Sequence, residues 1–281
     1  MSSQLSTLAP PPLVPSAPDR GKWRRMAGRL VQWVVSLAVV LGAWQLFLTA
    51  FHINSFIGRG PVEVWRFLTN GTTGGPARAQ LYHASVTTLR DAAVGLVAGT
   101  IAALVCAVVF NLQRTVEQTF MPMAMVLRSV PLVAMTPLIA LVFGRGLMGV
   151  TVIAGIVTFF PTLVNVTLAL RATPQASIDL FQAYGAGPLK TLRKVQLPSA
   201  LPAIFASLRI AAPLALIGAL LAEWLATGRG LGYLMLQSET LSNYNLLWAA
   251  TALVTAYSVF LYTTISGVEK RVLTRFSDTP A

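Results

Sequence analysis

Four polar or ionisable side chains interrupt stretches of the chain that are otherwise apolar: Arg128, Asn165, Arg209 and Glu223. Such groups are expensive to bury, which makes each a candidate for lining a solute pathway. Arg128 and Arg209 would attract an anion, whereas Asn165 would line a path or bond to a neighbouring helix. The structural alternatives are that Arg209 snorkels towards water and that Arg128 bonds to a carbonyl freed by a proline. Glu223 would cap a pathway or pair with Arg229.

Sequence motifs for catalysis are absent. The chain has no Gly-x-x-x-x-Gly-Lys-Ser/Thr phosphate loop, no His-Glu-x-x-His and no Gly-x-Ser-x-Gly. A single cysteine, Cys106, allows neither an internal disulfide nor a Cys-based metal site, and His52 and His83 are far apart in sequence. We therefore expect a chain that is not an enzyme and that has no catalytic residue, metal site or cofactor of its own.

The composition points to a membrane protein. Hydrophobic residues make up 55% of the chain and charged residues only 11%, whereas about 25% is usual for a soluble domain. A stretch of roughly 20 apolar residues crosses a bilayer core as a helix. The sequence predicts an all-α polytopic membrane protein with about six transmembrane helices. We place them at residues 30–51, 88–110, 120–143, 147–170, 204–225 and 246–265.

The third of these spans is irregular, because Pro122, Pro131 and Pro137 each remove a backbone hydrogen bond and bend the helix. Broken helices at membrane depth occur where they face protein or a water-filled cavity. Span three is therefore the first candidate for lining a pathway. Span two is rich in Gly and Ala, which predicts close packing inside a bundle.

The basic residues of the chain indicate its topology. The net charge of +12 is spread over short clusters between apolar stretches, which is typical of topology signals and not of nucleic-acid binding. Lys and Arg concentrate in a disordered tail at residues 1–28, in the link at residues 171–203 and in a second tail at residues 269–281. All three segments are predicted to be cytoplasmic. The two tails flank a predicted transmembrane domain at residues 29–268, and the link lies within that domain.

The link at residues 171–203 contains two predicted short helices. The first covers residues 175–184 and ends at Gly185, and the second covers residues 188–195 and ends before Pro198. Lys190, Arg193 and Lys194 form a basic face on the second helix, suited to anionic lipid headgroups.

An apolar face on the first of these helices is formed by Leu180, Phe181 and Tyr184. In a cytoplasmic loop this face needs a surface to bury against. The sequence leaves open whether that surface is the protein's own bundle, the membrane interface or a groove on a partner.

The link resembles the cytoplasmic EAA loop of ABC importer permeases. That pattern is Glu-Ala-Ala, three residues, Gly, nine residues and Ile-x-Leu-Pro. Asp179 stands at the Glu position, Leu180 and Phe181 replace the two alanines, and Gly185 matches the glycine. After nine further residues the run 195–198, Val-Gln-Leu-Pro, completes the spacing.

The resemblance extends over roughly residues 60–270, towards the nitrate, sulfonate, taurine and bicarbonate branch of the family. Spans three and four carry matching motifs, and so do span five and the loop after it. These motifs are Pro131, Pro137-Leu138, Phe143-Gly144, Phe160-Pro161, Leu208-Arg209-Ile210-Ala211, Ala222-Glu223 and Gly230-Leu231-Gly232-Tyr233.

The resemblance implies a type I ABC importer permease bundle in a bacterial cytoplasmic membrane. Its partners would be a second permease subunit (identical or different), a cytoplasmic ATPase dimer holding ATP and Mg, and an extracytoplasmic substrate-binding protein. The solute would be small, an organic or inorganic anion such as a sulfonate or nitrate. The implied ATPase-docking residues are Asp179, Leu180, Phe181, Tyr184, Gly185, Leu197 and Pro198. The segment Gly230, Leu231, Gly232 and Tyr233 would contact the binding protein, or else form an ordinary turn.

Two other classes of protein compete with this interpretation. A gradient-driven secondary transporter would show inverted repeats or paired broken helices, whereas this sequence has one broken span and no convincing repeat. A membrane anchoring or assembly subunit would not need a helix-Gly-helix loop or ionisable residues inside its spans.

Overall fold

The computed structural model describes residues 20–70 and 74–277, and the side-chain surroundings of residues 31–70 and 74–274. These residues are almost entirely helical, and no β-strand occurs in this part of the chain. They fall into two compact units, one ending at Pro61 and one beginning at Val62. Most of the predicted tail at residues 1–28, and the last four residues of the predicted tail at 269–281, lie outside the described residues.

The first unit consists of helix α1, Arg20–Ala50, and the turns that follow it. Its segment Val31–Ala50 is long and apolar enough to cross a membrane. The prediction of a disordered tail is wrong for residues 20–28, which are helical. The reason is that no proline follows Pro18 in this stretch and that Lys, Arg, Met and Ala, which favour helices, outnumber Gly21 and Gly28.

The second unit contains ten helices among its described residues. They are α2 (Pro61–Thr69), α3 (Gly74–Leu112), α4 (Arg114–Ser129), α5 (Leu132–Phe143), α6 (Leu147–Arg171), α7 (Gln175–Ala183), α8 (Pro188–Thr191), α9 (Leu197–Ala222), α10 (Gly230–Thr240) and α11 (Tyr244–Ser277). A π turn at Leu192–Gln196 joins α8 to α9, and a second one at Glu223–Thr227 extends α9. In the described part of the chain, five helices are long and apolar enough to cross a membrane, or six if α4 and α5 count as one span.

The predicted break in span three is confirmed: α4 and α5 meet at an angle of 104°. The bend lies at Val130 and Pro131. Val130 has φ −72° and ψ 127°, the extended conformation that a residue before proline prefers. Pro122 and Pro137 lie inside α4 and α5 without ending them.

Helices α3, α6 and α9 pack closely around small residues. Gly95 of α3 and Gly218 of α9 both lie against Ala154 of α6, so a larger side chain at either position would overlap it. Small residues let helix backbones approach in this way. Buried apolar clusters occupy the two ends of this core. One is Ala92, Ile139, Val150, Ile153, Ala215, Leu216, Ala219 and Ala222. The other is Ala103, Ala107, Phe110, Leu163, Val166, Leu170, Leu192 and Ala200.

Two expectations about helix ends are wrong. The second helix of the link does not end before Pro198 but continues through the π turn into α9. Pro198 is tolerated because it directly follows the π turn, and local π adjustments of this kind accommodate the backbone groups that a proline leaves unpaired in a membrane helix. Span five is correspondingly longer than residues 204–225, reaching from Pro188 to Thr227. The loop expected after it contains α10.

Candidate functional site

The link at residues 171–203 has the predicted helix-glycine-helix arrangement. Helix α7 ends at Gly185, whose φ of +72° lies in the left-handed region that favours glycine. The Gly185 N–H donates to the Gln182 carbonyl at 2.9 Å, and the Ala186 N–H donates to the Phe181 carbonyl at 3.0 Å. Helix α8 then begins at Pro188, directly after its N-cap residue Gly187.

Helix α7 is held away from the core, and none of its residues is buried. Leu180 is 55% exposed and Tyr184 is 83% exposed, whereas Phe181 is half-buried. Asp179 is also exposed and accepts a hydrogen bond of 2.9 Å from the Gln175 side chain. The predicted apolar face is therefore open at Leu180 and Tyr184, as a docking surface would require.

The base of the link is anchored to the core. Leu192 is buried in the cluster that contains Leu163 and Leu170, and Leu197 packs against the same cluster while half-buried. Pro198 is exposed next to it. Of the predicted docking residues, Leu197 and Pro198 thus belong to the base of the link and not to α7.

A cleft of about 670 Å³, lined by both polar and apolar side chains, lies beside α7. Two side-chain contacts cross it: Arg171 is ion-paired with Glu117, and the Asn111 amide donates to Gln196 at 2.7 Å. Its other lining residues include the exposed Arg114 and the half-buried apolar side chain of Met121, besides Gln118, Pro122, Met125, Leu170, Gln175 and Ile178.

A second polar cluster surrounds Glu223, at the opposite end of α9 from the link. The fully buried Glu223 carboxylate accepts hydrogen bonds from the Thr88 hydroxyl at 2.9 Å and from the Gly232 N–H at 2.8 Å. The Thr88 hydroxyl oxygen in turn accepts a hydrogen bond of 2.8 Å from the Leu231 N–H. Glu223 and Thr88 therefore satisfy backbone groups in the first turn of α10, where a carboxylate is favourable.

Asp91 forms the charged part of this cluster. It is fully buried and is ion-paired with Arg90 at 3.0 Å and with Arg229 at 3.7 Å. The alternative that Glu223 pairs with Arg229 is therefore wrong as a direct contact, because Arg229 pairs with Asp91 and Glu223 is bonded by neutral donors. Among the described residues, no group of three or more His, Cys, Asp or Glu is placed to hold a metal ion.

The sequence matches a known family of membrane components. Residues 95–277 match the model of the binding-protein-dependent transport system inner membrane component. The chain belongs to this family. The matched region contains the whole link, the bent α4–α5 pair and Glu223, whereas Thr88, Arg90 and Asp91 of the Glu223 cluster lie just before it.

Curated relatives of this permease share most of its length. It is 31% identical over 245 residues to a probable ABC transporter permease protein of Haemophilus influenzae, covering 87% of this chain and 98% of that one. It is 31% identical over 246 residues to the riboflavin transport system permease protein of Chloroflexus aurantiacus, covering 86% and 88%. It is 26% identical over 255 residues to the taurine transport system permease protein of Escherichia coli, covering 90% and 93%. These relatives are named as transport permease proteins, and the predicted family is confirmed.

A solved structure confirms the fold of the permease. The inward-facing MetNI methionine ABC transporter contains a chain that superimposes with a TM-score of 0.63 at 21% identity. The match covers 70% of this chain and 98% of that one. The predicted all-α type I importer bundle is therefore confirmed as the fold of the chain.

The four predicted pathway residues do not form one site. Arg209 is ion-paired with Glu269 of α11 at 3.1 Å, and Arg128 is exposed in the last turn of α4. Asn165 is half-buried on α6. Arg209 and Glu223 lie on one continuous helix, roughly 20 Å apart along its axis. A direct role in contacting solute remains a prediction for these residues.

The segment 230–233 is buried at its two central residues in this permease. Leu231 and Gly232 are buried, and their N–H groups donate hydrogen bonds to Thr88 and Glu223, respectively. Tyr233 is 37% exposed. Sequence reasoning missed Thr88, Asp91, Glu117 and Arg171 as polar contacts. Asp91 had a usable signal, since a carboxylate beside a long apolar stretch follows the same rule that selected Glu223.

Proposed function

We propose that the chain is the permease subunit of an ATP-driven importer and that α7 docks a cytoplasmic ATPase. The observation that carries this proposal is the exposed apolar face of Leu180 and Tyr184, on a helix with no buried residue. The anchored base at Leu192 and the turn at Gly185 present that face away from the core. A groove on a soluble partner would bury it.

The ATP chemistry belongs to the partner, because this sequence has no phosphate loop. ATP and Mg bound between two ATPases would draw them together and move the docked α7 helices. The spans would change from an inward-open to an outward-open arrangement, and hydrolysis would reset them. In physical terms, the bundle has two states whose populations are biased at the link.

We infer the orientation from the distribution of basic residues. Lys190, Arg193 and Lys194 are exposed on the link, and the positive-inside rule places such segments in the cytoplasm together with both termini. The same three side chains lie where anionic lipid headgroups would neutralise them. The Glu223 cluster then lies at the extracytoplasmic end of α9.

Two further partners complete the proposed importer. A second permease subunit would supply the other half of the pathway, as the resemblance to ABC importer permeases implies. A substrate-binding protein would dock at the extracytoplasmic end. Within residues 230–233, Tyr233 is the side chain available for that contact, because Leu231 is fully buried.

The solute of this importer is proposed to be a small anion such as a sulfonate or nitrate. Relatives named for taurine, aliphatic sulfonates and nitrate support this class, whereas a relative named for riboflavin has the higher identity of 31%. Arg128 remains the candidate anion contact, since Arg209 is neutralised by Glu269. ATP-dependent uptake of taurine, nitrate and riboflavin, compared in one preparation of the reconstituted importer, would decide among these classes.

The docking proposal is tested by co-purification from native membranes in mild detergent. We expect an ATPase subunit to accompany the wild type and to be lost from the Leu180→Arg, Tyr184→Arg double variant. Leu241→Arg is the matched control, because Leu241 is also an exposed leucine (69%) and lies at the end of α10, outside the link. Absence of any ATPase from the wild type, or its retention by the folded double variant, would contradict the proposal.

A further inference from the structure

Both ends of the link form side-chain contacts with the junction between α3 and α4. Arg171, the last residue of α6, is ion-paired with Glu117 in the first turn of α4. Gln196, the last residue of the π turn, accepts the hydrogen bond from Asn111 near the end of α3. The segment that carries α7 therefore enters and leaves the bundle beside one structural element.

The contact of Glu117 is unusual because of its burial. Helix α4 is described along its whole length, and Glu117 is its single buried residue, with 6% of its surface exposed. Its apolar neighbours Val116, Met121 and Ala124 pack against the core while only half-buried. A buried carboxylate that loses its partner is strongly unfavourable. The position of α4 thus depends on the Arg171 guanidinium.

Helix α4 is also the first half of the broken span. Its far end leads through Val130 and Pro131 into α5, at the bend of 104°. Helix α5 contributes Ile139 to the apolar cluster at the opposite end of the core. A displacement at the Glu117 end of α4 would therefore be transmitted to the bend and to α5.

Space for such a displacement is present beside the ion pair. The cleft of about 670 Å³ separates α4 from the start of α7, and Glu117 and Arg171 both line it. A close-packed interface would resist relative movement of these helices. Here, polar contacts cross a cavity, and they hold the two elements together while leaving room for them to move.

We propose that the Glu117–Arg171 pair couples movement of the docking link to the broken span α4–α5. Both are positioning residues, since they act by holding α4 against the end of α6. This inference rests on the proposed function, because it takes α7 as the point where the ATPase acts. It adds the route by which a movement of α7 would reach the bent span α4–α5.

The experiment uses the assembled complex of permease and ATPase in proteoliposomes and measures solute uptake per ATP hydrolysed. We expect Glu117→Gln and Arg171→Gln to keep the ATPase bound and hydrolysing while uptake per ATP falls about tenfold. The exchange variant Glu117→Arg, Arg171→Glu should recover most of the ratio. Arg114→Gln is the matched control, because Arg114 lines the same cleft and is exposed, and it should leave the ratio unchanged.

Several results would overturn the coupling role. An unchanged ratio in assembled Glu117→Gln complexes would do so, and so would a failure of the exchange variant to improve on the single variants. If Glu117→Gln does not fold, Arg171→Lys retains the charge and loses the forked geometry, and a normal ratio in that variant would also contradict the proposal. Loss of ATPase from the wild type is a separate outcome, which would overturn the proposed function itself.

Discussion

The Thr88 hydroxyl donates a hydrogen bond of 2.9 Å to Glu223, a residue 135 positions further along the chain. The same hydroxyl oxygen accepts from the Leu231 N–H at 2.8 Å. Thr88 therefore links α3 to the end of α9 and to the start of α10. With Asp91 and its two arginines nearby, this contact makes the three helices a single unit at that end of the core.

Replacing Thr88 by Val should destabilise the protein measurably. The change leaves the Leu231 N–H without its acceptor and removes one donor from a buried carboxylate, each at about 1–3 kcal/mol. Thermal unfolding in detergent, followed by tryptophan fluorescence, would show a lower midpoint. Thr87→Val is the matched control, because Thr87 bonds only to the His83 carbonyl one turn back. Equal midpoints for the two variants would contradict the assigned role of Thr88.

A side chain at Gly230 should be tolerated poorly. Gly230 has φ +88°, and a β-carbon there would overlap the Glu223 carboxylate. Gly230→Ala therefore combines backbone strain of about 1–3 kcal/mol with a steric clash. Gly187→Ala is the comparison, since Gly187 has φ −69° and open space around it. The melting midpoint should fall for Gly230→Ala and stay near the wild-type value for Gly187→Ala.

These contacts show where prediction from sequence ends. The spans, the bend at Pro131 and the turn at Gly185 follow from local patterns of apolar residues, proline and glycine. The bond between Thr88 and Glu223 does not, because it depends on how distant helices pack. The continuous helix through Pro198 depends on a π turn that no simple residue pattern marks.

Variants of the ion pair between Arg209 and Glu269 would distinguish a structural role of Arg209 from a role in contacting solute. Arg209→Glu and Glu269→Arg should each reduce stability, because like charges would face each other across α9 and α11. The double exchange should recover both the melting midpoint and ATP-dependent uptake. If stability returns and uptake does not, Arg209 contacts the solute as well. Lys270→Glu, at an exposed neighbouring position, is the control and should behave as wild type.

Access to the cleft should depend on the nucleotide state of the complex. Cys106 is the single native cysteine, so Cys106→Ala provides a background for labelling. A maleimide should react with the thiol of the Gln118→Cys variant, which lies in the cleft. Its reaction rate should differ by about threefold or more between nucleotide-free and ATP-trapped complexes. Thr119→Cys, exposed and outside the cleft lining, should react at one rate in both states. Constant labelling of Gln118→Cys would show that the link does not move relative to α4.

Photo-crosslinking from α7 in native membranes would identify the partner of the docking helix directly. A photoreactive amino acid replaces Tyr184, which is 83% exposed, and in a matched sample it replaces Leu241. If α7 is the docking helix, position 184 crosslinks to a soluble ATP-binding subunit and position 241 does not. Crosslinks from position 184 only to lipid or to the chain itself, with the complex intact, would contradict the assignment of α7 as the docking helix.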